Sequence, residues 1–117
     1  ATAGTSGVVR AAGPATFTNN TWHQFGFTKN GTALRNFLDG RTGTGTDVAN
    51  SLAPTNLRLG NNSAAADSAF NGEIAEWILF NNALSVADAD KVVGYLAWKW
   101  GLQGNLANSH PYKYQAP

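Results

Sequence analysis

Glu73 and Glu76, in the run Glu73-Ile74-Ala75-Glu76, are the only two glutamates of the chain. Paired carboxylates suggest glycoside hydrolysis, in which a retaining enzyme sets two carboxyl groups about 5–5.5 Å apart across the scissile bond. On a strand, residues three apart point to opposite faces. The pair therefore does not converge, and the plainer reading has Glu76 in a structural hydrogen bond and Glu73 in solvent. His23 and His110 are the only histidines. A catalytic triad would set one of them beside a serine and a carboxylate, and no nucleophile-elbow motif occurs. His23 is expected on a strand face and His110 in the anchoring of the C-terminal tail.

Two further groups have binding chemistry. Asn61-Asn62-Ser63, Asp67-Ser68 and Asn71 form an oxygen-rich stretch. Calcium takes six to eight oxygen ligands, which makes Asp67, Asn62 and Asn71 a candidate set, with Asp39 or Asp47 approaching from neighbouring hairpins. With a single carboxylate in the stretch, a solvated loop is the favoured reading, and no cofactor is required. Trp98, Trp100, Tyr112 and Tyr114 concentrate aromatic surface near the C-terminus. Sugar rings stack on such faces while amides bind hydroxyls, so Trp98, Tyr112, Tyr114, Asn61 and Asn62 are the candidate ligand-binding residues. The competing reading places Trp100 in the core and packs the tail over Trp98 through Pro111 and Tyr112, as aromatic residues at helical spacing usually do.

Composition narrows the function classes. The chain has 117 residues, 43% of them hydrophobic, enough for one core. Eight basic residues balance seven acidic ones, and no basic residues cluster. A nucleic-acid groove or an anionic membrane would call for such a cluster. No apolar run approaches the roughly 18 residues that cross a bilayer. Cysteine is absent, which removes disulfides and thiol nucleophiles. Charged residues make up 13%, and Thr, Asn, Gly and Ala fill the surface instead. That surface suits an extracellular, cell-surface or virion setting. The opening Ala1-Thr2-Ala3-Gly4 reads as an interior segment of a longer polypeptide.

The elements that would position these groups are mostly strands. Residues 1–21 are small and polar and read as an extended segment. Trp22 to Lys29 is β-prone, Asn30-Gly31 reads as the two positive-φ residues of a hairpin turn, and Thr32 to Asp39 returns. Asp39-Gly40 is a second hairpin signal, followed by a strand from Arg41 to Val48. Leu57-Arg58-Leu59 is a short strand ended by Gly60. Glu73 to Phe80 is apolar on both faces, with Ala75, Trp77 and Leu79 on one and Ile74, Ile78 and Phe80 on the other. This pattern predicts a strand covered on both sides. A helix over residues 86–100 follows, with Ser85 as N-cap, Asp88 in its first turn and Gly101 as its stop. Val92, Leu96 and Trp100 recur along one face, with Ala89, Val93 and Ala97 beside them. Gly94 costs helix stability, which points to close approach of a neighbour.

In their order, Trp22-His23, Phe37-Leu38-Asp39-Gly40, Leu57-Arg58-Leu59-Gly60, Gly72-Glu73-Ile74-Ala75-Glu76 and Asn82-Ala83-Leu84-Ser85 resemble the C-terminal portion of laminin-G-like domains of the concanavalin A-like lectin/glucanase superfamily. The helix and the tail Ser109-His110-Pro111-Tyr112-Lys113 look like the variant found in bacterial surface proteins and phage tail or fibre proteins. The resemblance covers residues 22–113. It implies an all-β, antiparallel jelly-roll-like β-sandwich with one C-terminal α-helix, partial because several strands usually precede the Trp-His strand. Some such domains hold calcium at loop edges. Laminarinase-type hydrolases of the superfamily set Glu, Asp and Glu at alternate positions of one strand face, and here Ala75 and the three-residue spacing depart from that pattern. The expectation is a non-catalytic module serving adhesion, glycan binding or assembly. Its partners would be other protein chains, as a homo-oligomer or a complementing segment, and a glycan, not nucleic acid or membrane. The alternatives are a purely structural virion or appendage component and a degenerate glycoside hydrolase-like domain.

Overall fold

The computed structural model describes residues 18–46, 59–60 and 69–117. Three strands, β1 (Phe25–Asn30), β2 (Ala33–Leu38) and β3 (Arg41–Thr46), form an antiparallel sheet in the order β1-β2-β3. The helix α1 spans Val86–Lys99, and a short 3-10 turn follows at Gln103–Asn105. Two tight turns set the register. Phe25 pairs with Leu38 and Asn30 with Ala33 across the first, and Leu38 pairs with Arg41 across the second. In the second turn Asp39 (φ 48°) and Gly40 (φ 72°) are both left-handed, the I′ geometry that matches strand twist. The first turn departs from expectation. Its central residues are Gly31 and Thr32, and only Gly31 (φ 58°) is left-handed, because Asn30 is consumed by pairing with Ala33.

The central strand β2 has a buried apolar residue on each face. Leu34 lies on the face shared with Asn36, and Phe37 on the other. Arg35, on the Phe37 face, lays its guanidinium 5.0 Å from that ring and donates to Thr42 Oγ1 at 3.3 Å. β1 begins at Phe25 and not at Trp22, so Trp22, His23 and Gln24 form a strap leading into the sheet.

Residues 73–80 do not form the expected strand. Ile74, Trp77, Ile78, Leu79 and Phe80 are all exposed. A ladder needs a neighbour on at least one edge, and among the described residues no segment pairs with this one. The two-sided apolar pattern registers how much surface awaits burial, not what buries it. Of the other expected strand, Leu57 and Arg58 lie outside the described residues, and Leu59-Gly60 is a bend.

α1 is fixed at both ends. Ser85 Oγ accepts from Asp88 N at 3.1 Å and donates to the Asp88 carboxylate at 2.7 Å, so the N-terminus is closed by two reciprocal bonds. The Ser85 bond, with Lys91 nearby, holds the Asp88 carboxyl below its usual range. At the other end Gly101 is left-handed (φ 69°) and Leu102 N donates back to Ala97 O at 2.7 Å. The buried face is the small-residue one, with Ala89, Gly94 and Ala97 inside. Trp100 is exposed, contrary to its expected place in the core. Only small side chains allow the strap and tail to reach the helix backbone. The Gln24 amide donates to Val93 O at 3.0 Å and accepts from Ala97 N at 3.2 Å. Tyr112 sits on Gly94, where an added Cβ would lie 2.6 Å from Tyr112 Cβ.

The tail closes onto the second turn. A Cβ on Gly40 would lie 2.8 Å from His110 Cδ2 and 3.0 Å from Leu106 Cδ2, and both of those side chains are buried. His110 Nδ1 accepts from Tyr112 N at 3.2 Å, so the ring's proton sits on Nε2. Nε2 has no hydrogen-bond partner among the described residues, and Asp90 Oδ1 is 3.9 Å away. Burial pushes the His110 pKa below the ordinary histidine value, with Asp90 opposing.

Gly94→Ala should lower stability although alanine favours a helix interior by about 1 kcal/mol. The tail must lift to admit the methyl group, and the emission of Trp98 should shift with it. A stabilised variant with unchanged emission contradicts the packing. Gly40→Ala should cost more than the roughly 1–2 kcal/mol of left-handed strain alone, since its Cβ also meets His110 and Leu106. Urea unfolding checks it, and a loss under about 1 kcal/mol is the contrary result. For His110 the folded pKa lies below the unfolded one. Its neutral form costs nothing above the unfolded pKa, and stability falls as pH drops through about 6.5 toward the folded value. His110→Gln should flatten that part of the stability profile. Parallel profiles for wild type and variant between pH 7.5 and 5 would rule out the assignment.

Candidate functional site

The outer face of α1 turns its larger side chains away from the strap. Val92, Tyr95 and Trp98 lie one helical turn apart in succession and face the same space as Ile78 and Phe80 of the 73–80 segment and Pro117. Together they line an open, almost wholly apolar groove of about 560 Å³, with Lys91 and Lys99 as its charged residues. Trp98 is 38% exposed and Tyr95 48%. Trp98 Nε1 donates to Tyr112 O at 2.9 Å, which fixes the ring and uses its one donor. The face of the ring is what the residue offers a ligand.

One end of this surface is held by a carboxylate. Glu76 Oε2 accepts from Trp100 Nε1 at 2.8 Å and pairs with Lys99 Nζ at 2.9 Å. The Lys99 bond first, and the Trp100 bond second, hold the Glu76 carboxyl below its usual range. The same Glu76 bond raises Lys99, whose ammonium lies 5.4 Å from the Tyr95 ring and 5.7 Å from the Trp100 ring. Glu76 thus links the irregular 73–80 segment to the C-terminal end of α1. Glu73 is exposed. A carboxyl kept ionised by a lysine is the reverse of a general acid, which needs a raised pKa.

Of the sequence candidates, Trp98 and Tyr112 are brought together by the bond from Trp98 Nε1 to Tyr112 O. Tyr112 is half-buried against Gly94, and Tyr114 is 76% exposed. Asn61, Asn62 and Asp67, and with them most of the calcium set, lie outside the described residues, as does Asp47; Asn71 is exposed. Asp39 is buried and fully engaged, with Oδ1 accepting from Gln24 N at 3.0 Å and Oδ2 facing His23 Nδ1 at 2.7 Å. Among the described residues no three His, Cys, Asp or Glu side chains are grouped to hold a metal, and no helix is long and apolar enough to cross a membrane. Sequence reasoning missed Tyr95, Ile78 and Phe80 as parts of one groove. The spacing of Val92, Tyr95 and Trp98 carried the signal for the helical half. Nothing local marked the other half, because Ile78 and Phe80 were assigned to a sheet.

Comparison with known proteins gives one result on this background. The laminin-G-type family model of the concanavalin A-like lectin/glucanases superfamily matches residues 1–89. No curated protein and no solved structure matches the chain. The matched span takes in residues 1–21, the three strands and the 73–80 segment, and ends inside α1, so the rest of the helix and the tail lie beyond it. With residues 1–89 of 117 inside the match, the chain belongs to the concanavalin A-like lectin/glucanases superfamily as a laminin-G-type member.

Proposed function

We propose that this chain is a non-catalytic laminin-G-like module of an extracellular protein, on a bacterial surface or a phage virion, and that it works by binding other chains in an assembly. In this reading the three-stranded sheet is part of a jelly-roll sandwich completed within that assembly. The observation that carries it is the exposed apolar surface running from the 73–80 segment into the groove of α1. Ile74 is 52% exposed and Leu79 67%, next to a groove with almost no polar lining. Surface of this kind marks interaction sites. A formal net charge of +1 offers little repulsion against association.

Glycan binding is the second reading, favoured by the exposed rings of Tyr95, Trp98 and Tyr114. Sugar sites add converging polar groups to an aromatic platform. Among the described residues of the groove Lys91 and Lys99 are the only charged ones, and Lys99 is committed to Glu76. Hydrolysis is disfavoured by the same commitment, since Glu76 is ion-paired.

Sedimentation of the isolated chain tests the assembly reading. Self-association at micromolar concentration, weakened by Ile78→Asp or Trp98→Ala, is the expected outcome. A cooperatively unfolding monomer across that range would sink it. If the chain binds glycans instead, Trp98→Ala and Tyr114→Ala should abolish glycan-induced chemical-shift changes without altering sedimentation. No reducing ends should be released from β-glucans, and release that vanishes in Glu76→Gln would overturn the non-catalytic assignment.

A further inference from the structure

The hydrogen bonds around His23 select its protonation state. Nδ1 lies 2.7 Å from Asp39 Oδ2, and a carboxylate only accepts, so Nδ1 carries a proton. On the other side of the ring Nε2 lies 2.8 Å from Thr21 Oγ1, 3.0 Å from Thr18 Oγ1 and 3.0 Å from the Thr18 carbonyl oxygen. Thr21 Oγ1 also lies 3.0 Å from that carbonyl, within reach to donate to it. A neutral ring with its proton on Nδ1 would hold the Nε2 lone pair against Thr18 O, which only accepts. A ring protonated on both nitrogens gives a donor to each of the two acceptor-only oxygens, Asp39 Oδ2 and Thr18 O.

We propose that His23 is a proton-held clamp: as an imidazolium it ties Thr18–Thr21 to the Asp39 turn, and loss of one ring proton frees that segment while the sheet stays paired. Proton loss removes the donor to Thr18 O. It leaves the two bonds between Gln24 and Asp39 intact, with Asp39 N donating to Gln24 O and Asp39 Oδ1 accepting from Gln24 N, each at 3.0 Å. Trp22 O keeps its uncharged bond from Asn105 Nδ2 at 3.2 Å. Release is thus confined to the stretch from which residues 1–17 lead off.

The charged groups on the elements around the clamp are consistent with this. Asp39, on the β2–β3 turn, is bonded to the ring. Arg41, opening β3, is committed to Asn105 O at 3.2 Å. His110 and Asp90 lie beyond Gly40, where His110 is engaged by Tyr112 N. The Asp39 hydrogen bond, ahead of the opposing effect of burial, holds the His23 pKa above its ordinary value. The folded pKa therefore exceeds the unfolded one. The clamp is fully present below the unfolded pKa and is lost as pH rises through the folded one.

The test is nuclear magnetic resonance on the full chain, following the His23 ring nitrogens and the backbone order parameters together. At about pH 6.5 both ring nitrogens should be protonated, with a midpoint above the ordinary histidine value. Across that midpoint the order parameters of Thr18–Thr21 should fall from about 0.85 to below about 0.6, while those of Gly26 and Phe37 hold. Asp39→Asn removes the carboxylate and should move the midpoint down toward the ordinary value. His23→Gln should make the order of Thr18–Thr21 independent of pH. A ring protonated on one nitrogen at pH 6.5, or segment motion that ignores the ring's titration, overturns the proposal. So does an Asp39→Asn midpoint equal to that of the wild type.

Discussion

The turn at Asp39-Gly40 is the constraint on which the other contacts depend. Its two left-handed residues aim a carboxylate one way and expose a bare Cα the other. The carboxylate is buried and is satisfied by Gln24 N and His23, which draws the strap onto the end of β2. The bare Cα admits His110 and Leu106, which brings the tail to the same point. From the strap, Gln24 reaches the backbone of α1 at Val93 and Ala97. The helix is therefore joined to the sheet through the turn and the strap, not by lying across the strands. The small residues on its inner face follow from that arrangement.

Features with a local cause were legible in the sequence. Asp39-Gly40 announced an I′ turn, Ser85 a cap, Gly101 a stop and Gly94 a close neighbour, because each is set by the backbone conformation of a few adjacent residues. Features set by distant partners were not. His23 was placed on a strand face, yet its partner Asp39 is sixteen residues away. Counting back along the hairpin from the Phe25–Leu38 pair would have put Gln24 opposite Asp39, with His23 next to it. Trp100 was assigned to the core from helical spacing, but its indole N–H reaches Glu76 on an irregular segment. Residues 73–80 looked like a buried strand because periodicity records apolar content and not the neighbour that completes a ladder.

That unsatisfied apolar content is what connects the fold to function. Much of the exposed apolar surface among the described residues lies off the sheet. It runs along the 73–80 segment and the outer face of α1, tied together by the Glu76 contacts to Lys99 and Trp100. Most of the groove lies on α1 and the tail, beyond the span that the family model matches. The binding character proposed for the chain thus draws on elements added to the family's matched region.

The central claim is that turn, strap, helix and tail form one cooperative unit. Native-state hydrogen exchange measures this most directly. The amides of Asp39, Leu102 and His110 are each held by a backbone bond, to Gln24 O, Ala97 O and Ala107 O. They should open with the same free energy and the same denaturant dependence, as members of one unit. Exchange of Leu102 and His110 through an opening that leaves Asp39 protected would contradict the account.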